Sequence, residues 1–156
     1  MKLLNRKSLR LKNYDYSSSG YYFITISTKN REYFFNIFPE LAEIIEKEWN
    51  DLIFRFKNIE LDEFIIMPNH IHGIIFIKDS IEKIDLGDIV GAFKSKSVNE
   101  WLKYIKTNNI DALGKFWHRN YHESIIRDEE HLNKVREYIK NNPMKWKLDG
   151  KDRYFE

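Results

Sequence analysis

The segment LDEFIIMPNHIHGIIFIK, residues 61–78, holds two apolar runs of strand length on either side of Pro68-Asn69. Runs of β-branched and aromatic residues favour strands, and proline followed by asparagine favours a turn. The segment therefore predicts an antiparallel hairpin, with LDEFIIM as one strand and HIHGIIFIK as the next. The second run is apolar at positions of both parities, so we expect other elements to cover both of its faces.

The residues before this hairpin predict one strand and one helix. YYFITISTK, residues 21–29, is rich in the β-branched and aromatic side chains that strands prefer. From Pro39 to Phe56, apolar residues recur at helical spacing. Proline suits the first helical turn because its missing N–H needs no partner there.

The residues after the hairpin predict a helix, a strand and a last helix. Residues 85–106 carry an apolar stripe at helical spacing, and FWHRNYHESII, residues 116–126, favours a strand. Asp128 is placed to cap the last helix, and Asn142-Pro143 is expected to end it. The order β-α-β-β-α-β-α predicts an α+β fold, a ferredoxin-like antiparallel sheet with an additional C-terminal helix.

Length and composition narrow the class of protein. The chain has 156 residues, no cysteine and a formal net charge of +2. This length favours one domain, and the lack of cysteine excludes disulfides and thiolate metal sites. The sequence has neither an apolar run of the ~20 residues that span a membrane nor a signal-peptide pattern. We therefore expect a cytoplasmic protein with no membrane partner, forming a single domain over residues 1–156 with a basic arm at 1–20 and a polar tail at 147–156.

Two histidines on the second hairpin strand form the first candidate site. Side chains alternate along a strand, so His70 and His72 share a face, with Cα atoms ~6.6 Å apart. Two imidazoles at that spacing can converge on one metal ion. The H-x-H pattern alone is weak, however, and equally describes partly buried histidines with local hydrogen bonds.

Tyr138 and Asn142 on the last helix form the second candidate group. They are four residues apart, so they share a helical face. Taken singly, Tyr138 fits a tyrosine at the edge of the core and Asn142 fits a C-terminal cap. Taken with the histidines, a phenol can attack phosphorus and form a covalent phosphotyrosine, helped by a divalent cation.

Three segments together resemble the REP-associated tyrosine transposases of the HUH single-tyrosine transposase superfamily. The segments are YYFITISTKNR, MPNHIHGIIFI and FWHRNYHESIIRDEEHLNKVREYIKNNP, and the resemblance covers residues 10–146. It implies that His70 and His72 bind Mg²⁺ or Mn²⁺ with Asn142 as a third ligand, and that Tyr138 is the nucleophile. It also implies a transposase that nicks and rejoins single-stranded or hairpin DNA, including repetitive palindromic elements, as a monomer or a homodimer.

Basic side chains are the candidates for DNA contact. The candidates are Arg6, Arg10, Lys12, Lys94, Lys96, Arg119 and Arg127. Each of them also fits an ordinary solvated surface charge. We expect His118, His122 and His131 to be surface or structural histidines, because a spacing of four on a strand is ~13 Å, too far to share one ion.

Two other functions remain open at this point. The strand and helix order is shared with RNA-recognition domains, so a nucleic-acid-binding module without catalysis is one alternative, although the aromatic signature run of those domains is absent. A metal-dependent hydrolase is the other, and it would need a general base such as Asp62 or Glu63.

Overall fold

The computed structural model describes residues 19–80 and 83–149, with the backbone alone at 144–149. The predicted basic arm, with Arg6, Arg10 and Lys12, lies outside the described residues. The strands are β1 (Gly20–Ser27), β2 (Ile59–Met67), β3 (His70–Ile77) and β4 (His122–Ile126). The helices are α1 (Phe34–Ile37), α2 (Pro39–Asn50), α3 (Leu52–Arg55), α4 (Leu86–Thr107) and α5 (Glu129–Asp149), and Lys29–Arg31 forms a short 3-10 turn.

The described strands form one antiparallel sheet in the order β2-β3-β1-β4. The predicted hairpin is confirmed as β2 and β3, and the α+β, ferredoxin-like arrangement is confirmed with it. Asp85 caps α4 by accepting a hydrogen bond from the N–H of Gly87, and Asp128 does the same for α5 through the N–H of His131. Within the described ranges, every helix falls short of the length or hydrophobicity that crossing a bilayer requires.

Helices cover the sheet on both faces, as the apolar pattern of β3 predicts. One face packs against α2 and α4, and there Gly73 leaves room for the indole of Trp49, which an added Cβ would overlap. The opposite face packs against α5, through Ile74 on β3 and Val135 and Ile139 on the helix. The two faces of β3 therefore serve different layers, and His70 and His72 belong to the layer of α5.

A β-bulge interrupts the pairing of β2 with β3. Leu61 pairs with Ile75 and Phe64 with Gly73, so Asp62 and Glu63 together stand opposite the single residue Ile74. In a regular strand two consecutive side chains would point to opposite faces. The bulge lets both of these carboxylates reach α5.

Three boundary predictions were wrong. The helix predicted from Pro39 to Phe56 is divided at Asp51 into α2 and α3. The last helix does not end at Asn142-Pro143, since α5 continues through Pro143 to Asp149 and includes residues 147–149 of the predicted tail. Apolar packing of Val135 and Ile139 against the sheet offsets the single helical hydrogen bond that a proline removes. The last strand is shorter than predicted, because residues 116–121 lie outside it and join the sheet only at the isolated bridge between Trp117 and Thr28, with Phe116 buried in the α2–α4 layer.

Candidate active site

The histidine pair lies on the α5 side of β3. The side chains of His70 and His72 are both fully buried, and their ring centroids are 4.7 Å apart. Strand geometry explains this, since residues i and i+2 project from the same face. The two imidazoles therefore converge at one place between the sheet and α5.

The Nδ1 atom of each imidazole is held by an oxygen of a neighbouring residue. Nδ2 of Asn69 donates to the carbonyl of Arg31 at 3.3 Å, so Oδ1 is the atom that faces His70, at 2.7 Å from its Nδ1. A carboxamide oxygen only accepts, so the proton of His70 is on Nδ1 and Nε2 carries the lone pair. The hydroxyl of Thr25 shares a 2.7 Å hydrogen bond with Nδ1 of His72.

Helix α5 brings Tyr138 against this pair. The ring of Tyr138 meets the ring of His72 edge to face, with centroids 5.4 Å apart, and also contacts Phe23 at 6.4 Å. The phenol oxygen of Tyr138 and the side-chain carbonyl oxygen of Asn142 are both buried. The structure thus brings the two imidazoles and the phenol of one chain into contact, and it buries Asn142 one turn further along α5.

Ion pairs across the bulge fix α5 to the sheet. Arg136 donates from Nε and Nη2 to the two carboxylate oxygens of Asp62, at 2.8 and 2.6 Å. Lys140 lies 3.4 Å from Glu63 in a second, more exposed pair. The Arg136 hydrogen bond is the main reason that the pKa of Asp62 lies below its usual value, against the opposing effect of burial. Both carboxylates that a hydrolase would need as a base are engaged in these pairs.

Of the predicted DNA-contact residues that the structure describes, Lys94 and Arg119 line one pocket, whereas Lys96 and Arg127 line others. Lys94 is turned inward, where Nζ donates to the carbonyls of His118 and Arg119 at 2.8 and 3.2 Å and burial lowers its pKa. Lys96 pairs with Glu100 at 3.6 Å and lines a different pocket of α4 from Lys94. Arg119 and Arg127 are exposed, beyond the start and the end of β4 respectively.

Sequence reasoning did not single out Thr25 or Asn69. Each of them hydrogen-bonds a histidine ring directly. Strand register places Thr25 beside His72, and the turn before β3 places Asn69 beside His70. The sequence does contain one indication of the role of Thr25, because a hydroxyl side chain in an otherwise apolar strand often has a polar partner.

Comparisons with known proteins show the family and the fold. The family model described as "Transposase IS200 like" matches residues 16–142. A protein of Haemophilus influenzae described only as uncharacterized is 37% identical over 171 residues, which is 93% of this chain and 92% of that protein.

Two solved structures share the fold. A REP-associated tyrosine transposase bound to a REP hairpin superposes with a TM-score of 0.58 at 19% identity, covering 87% of this chain and 73% of that one. A candidate transposase from Deinococcus radiodurans R1 superposes with a TM-score of 0.55 at 20% identity, covering 85% and 97%. The fold likeness agrees with the family match over most of the sequence, and the chain belongs to the IS200-like transposase family.

Proposed function

We propose that this chain cuts and rejoins single-stranded DNA that carries hairpins, with Tyr138 as the nucleophile. The observation that carries the proposal is the edge-to-face contact between Tyr138 and His72, 5.4 Å between ring centroids, beside the buried pair of imidazoles. The likeness to a transposase whose structure contains a REP hairpin supports hairpin DNA as the substrate class.

The proposed reaction requires the chain mainly to position the reacting groups and to offset the charge of the phosphate. The phenol oxygen of Tyr138 attacks the scissile phosphorus and the bond from phosphorus to the 3′ oxygen breaks, with the phenol proton passing through solvent to that leaving oxygen. The products are a 5′-phosphotyrosine and a DNA strand with a 3′-hydroxyl. Attack by a second 3′-hydroxyl reverses the step, releases the phenol and joins the strands. No nucleotide cofactor is required, because the phosphotyrosine retains the energy of the phosphodiester.

The residues at the site fit a divalent cation, Mg²⁺ or Mn²⁺. The donors would be His70, His72 and the amide oxygen of Asn142, the set that the family resemblance implies, and all three side chains are buried. The hydrogen bonds to Nδ1 support this assignment, because metal-binding histidines commonly have their other nitrogen held by an oxygen. A bound cation would polarise the phosphate and offset its charge. Imidazole donors favour Mn²⁺ over Mg²⁺ in such a set.

A covalent-adduct assay tests the proposal. The full chain is incubated with end-labelled hairpin DNA that has single-stranded flanks and with Mn²⁺, and the products are separated on a denaturing gel. We expect a protein–DNA adduct that is absent from Tyr138→Phe and lost on chelation. Tyr104→Phe is the matched control, because Tyr104 stacks on Trp101 in the α2–α4 layer, across the sheet from the histidines.

The same assay separates the two alternatives. Cleavage that survives Tyr138→Phe would establish a hydrolase. Tight binding of hairpin DNA by the wild-type chain with no adduct in either metal would establish a binding module.

The arrangement of both groups in one chain gives a further test. Since Tyr138 contacts His72 of its own chain, we expect each site to work without a second copy. A mixture of Tyr138→Phe and His72→Ala should therefore stay inactive. Recovery of adduct formation in the mixture would show that copies exchange α5.

A further inference from the structure

The sheet places a second pair of histidines across β1 from the first. Thr25 pairs with His72 of β3 on one side and with His122 of β4 on the other. Directly paired residues project from the same face, so His122 shares the face of the histidine pair, about 10 Å from His72 at two strand spacings. His122 is exposed, whereas its neighbour Glu123 projects to the opposite face, where it pairs with the buried Ile24.

His118 lies beside the end of the same strand. Its backbone N–H donates to the carbonyl of Ser27 at 2.8 Å, and Ser27 pairs with His70. The backbone N–H of Asn120 donates to Nδ1 of His118 at 3.1 Å. When Nδ1 accepts this hydrogen bond, Nε2 is the donor of the ring, and the His118 residue is exposed.

Arg31 lies in a strained turn that follows the end of β1. Asn30 and Arg31 have φ values of 56° and 54°, the left-handed region that costs a non-glycine residue about 1 kcal/mol or more. The turn is held in this shape by Asn69, whose Nδ2 donates to the carbonyl of Arg31, and by Thr28, whose hydroxyl donates to the carbonyl of Glu32 at 2.6 Å. The same Asn69 side chain orients His70, so one residue sets both the Arg31 turn and the histidine site.

Arg31, His118 and His122 are near one another. Partial desolvation of the His122 ring, and after it the charges of Arg31 and His118, lower the pKa of His122. All three side chains are exposed, so an anion could reach them.

We propose that Arg31, His118 and His122 form a phosphate-binding subsite that holds a backbone phosphate of the DNA strand next to the scissile one. The inference rests on the proposed function for its ligand. The strand would cross β1, with the scissile phosphate at the site of Tyr138 and the histidine pair and the neighbouring phosphate in the subsite. A guanidinium and an imidazole N–H are both suited to phosphate oxygens.

Salt-dependent binding of a fluorescent oligo(dT) strand tests the subsite without requiring cleavage. A phosphate contact carries no sequence information, so this probe needs no recognition sequence. We expect Arg31→Gln to weaken binding about tenfold, the scale of one charge-assisted hydrogen bond. The slope of log affinity against log salt should become shallower by about 0.7, the value for one phosphate of a single strand. Arg31→Lys keeps the charge and should keep the slope.

Two further variants make the test decisive. His122→Gln occupies a regular, exposed strand position, so it should fold normally and bind oligo(dT) about threefold more weakly through loss of one hydrogen bond. Lys103→Gln is the matched control, since it removes one charge from an exposed side chain of α4, the helix on the opposite face of the sheet, and should bind like the wild type.

Wild-type affinity and slope in both Arg31→Gln and His122→Gln would overturn the subsite. An equal loss of oligo(dT) affinity in Lys103→Gln would also overturn the subsite, because the loss would then follow from the net charge of the protein and not from a local contact. Failure of the covalent-adduct assay together with the expected losses on oligo(dT) would refute the proposed cleavage and leave the subsite standing.

Discussion

Removing the carboxylate of Asp62 tests whether the bulge in β2 fixes the tyrosine helix. Asp62→Asn replaces the charged partner of Arg136 while keeping the shape of the side chain. The pair has two hydrogen bonds, of 2.8 and 2.6 Å, and the exposed fractions of its side chains are 18% for Asp62 and 32% for Arg136. A hydrogen bond to a charged group contributes about 1.5–3 kcal/mol, and the exposure of Arg136 reduces this, so we expect a loss of about 1–2 kcal/mol in unfolding free energy.

Urea denaturation at neutral pH measures this loss, with Glu60→Gln as the control. Glu60 lies on the same strand and pairs with Lys78 at 3.4 Å, but both side chains are exposed, so its removal should cost under about 1 kcal/mol. The Asp62 variant should also form the Tyr138 adduct more slowly while binding DNA as tightly as the wild type, because the change acts on the position of α5.

The pH dependence of the difference in unfolding free energy between the wild type and Asp62→Asn gives a second check. The pKa of Asp62 is lowered in the folded protein, chiefly by the hydrogen bond from Arg136. A lowered folded-state pKa contributes stability above the unfolded value of ~3.9, and this contribution is lost as the pH falls through the folded-state value. The gap between wild type and Asp62→Asn should therefore be constant near neutral pH and shrink in acid. Equal urea midpoints at neutral pH, or a gap that persists unchanged below that pKa, would refute the reasoning.

Three further changes test the packing and the site. Gly73→Ala should lower the melting temperature by the equivalent of about 1–3 kcal/mol, because its Cβ would overlap a packed indole, whereas Gly91→Ala, with open space around the added Cβ, should be neutral or stabilising. Thr25→Val removes the hydroxyl that holds His72 and should weaken Mn²⁺ binding about 10–100-fold by calorimetry; an unchanged affinity would contradict that role. Burial raises the pKa of Glu48, so the folded protein holds this proton more tightly than the unfolded chain, and Glu48→Gln should raise the urea midpoint at neutral pH with a gain that vanishes in acid.

Local patterns were enough to predict the element order and the faces of β3. The alternation around His70 and His72 and the helical spacing of Tyr138 and Asn142 are short-range properties, and they placed each residue on the correct surface of its own element. The predicted ends of helices and strands were wrong where tertiary packing sets the boundary. Pro143 is tolerated inside α5 because the helix is already docked on the sheet at that point.

The features that join the elements could not be predicted from spacing. The bulge at Asp62 and Glu63 depends on the register of β2 against β3, and its ion pairs join residues more than seventy positions apart. The hydrogen bond between Thr25 and His72 likewise depends on which residues of two strands stand opposite each other. Sequence reasoning found the residues proposed to react, and it missed the neighbours that orient them.

The bulge also affects whether two copies of this protein can pair through the edge of the sheet. Of the strands that the structure describes, β2 lies at one edge of the sheet, where an uninterrupted ladder would present N–H and C=O groups for another chain to extend. Two adjacent acidic residues and a break in pleating make that border a poor template for intermolecular pairing. The distortion that secures α5 should therefore also discourage aggregation through this edge.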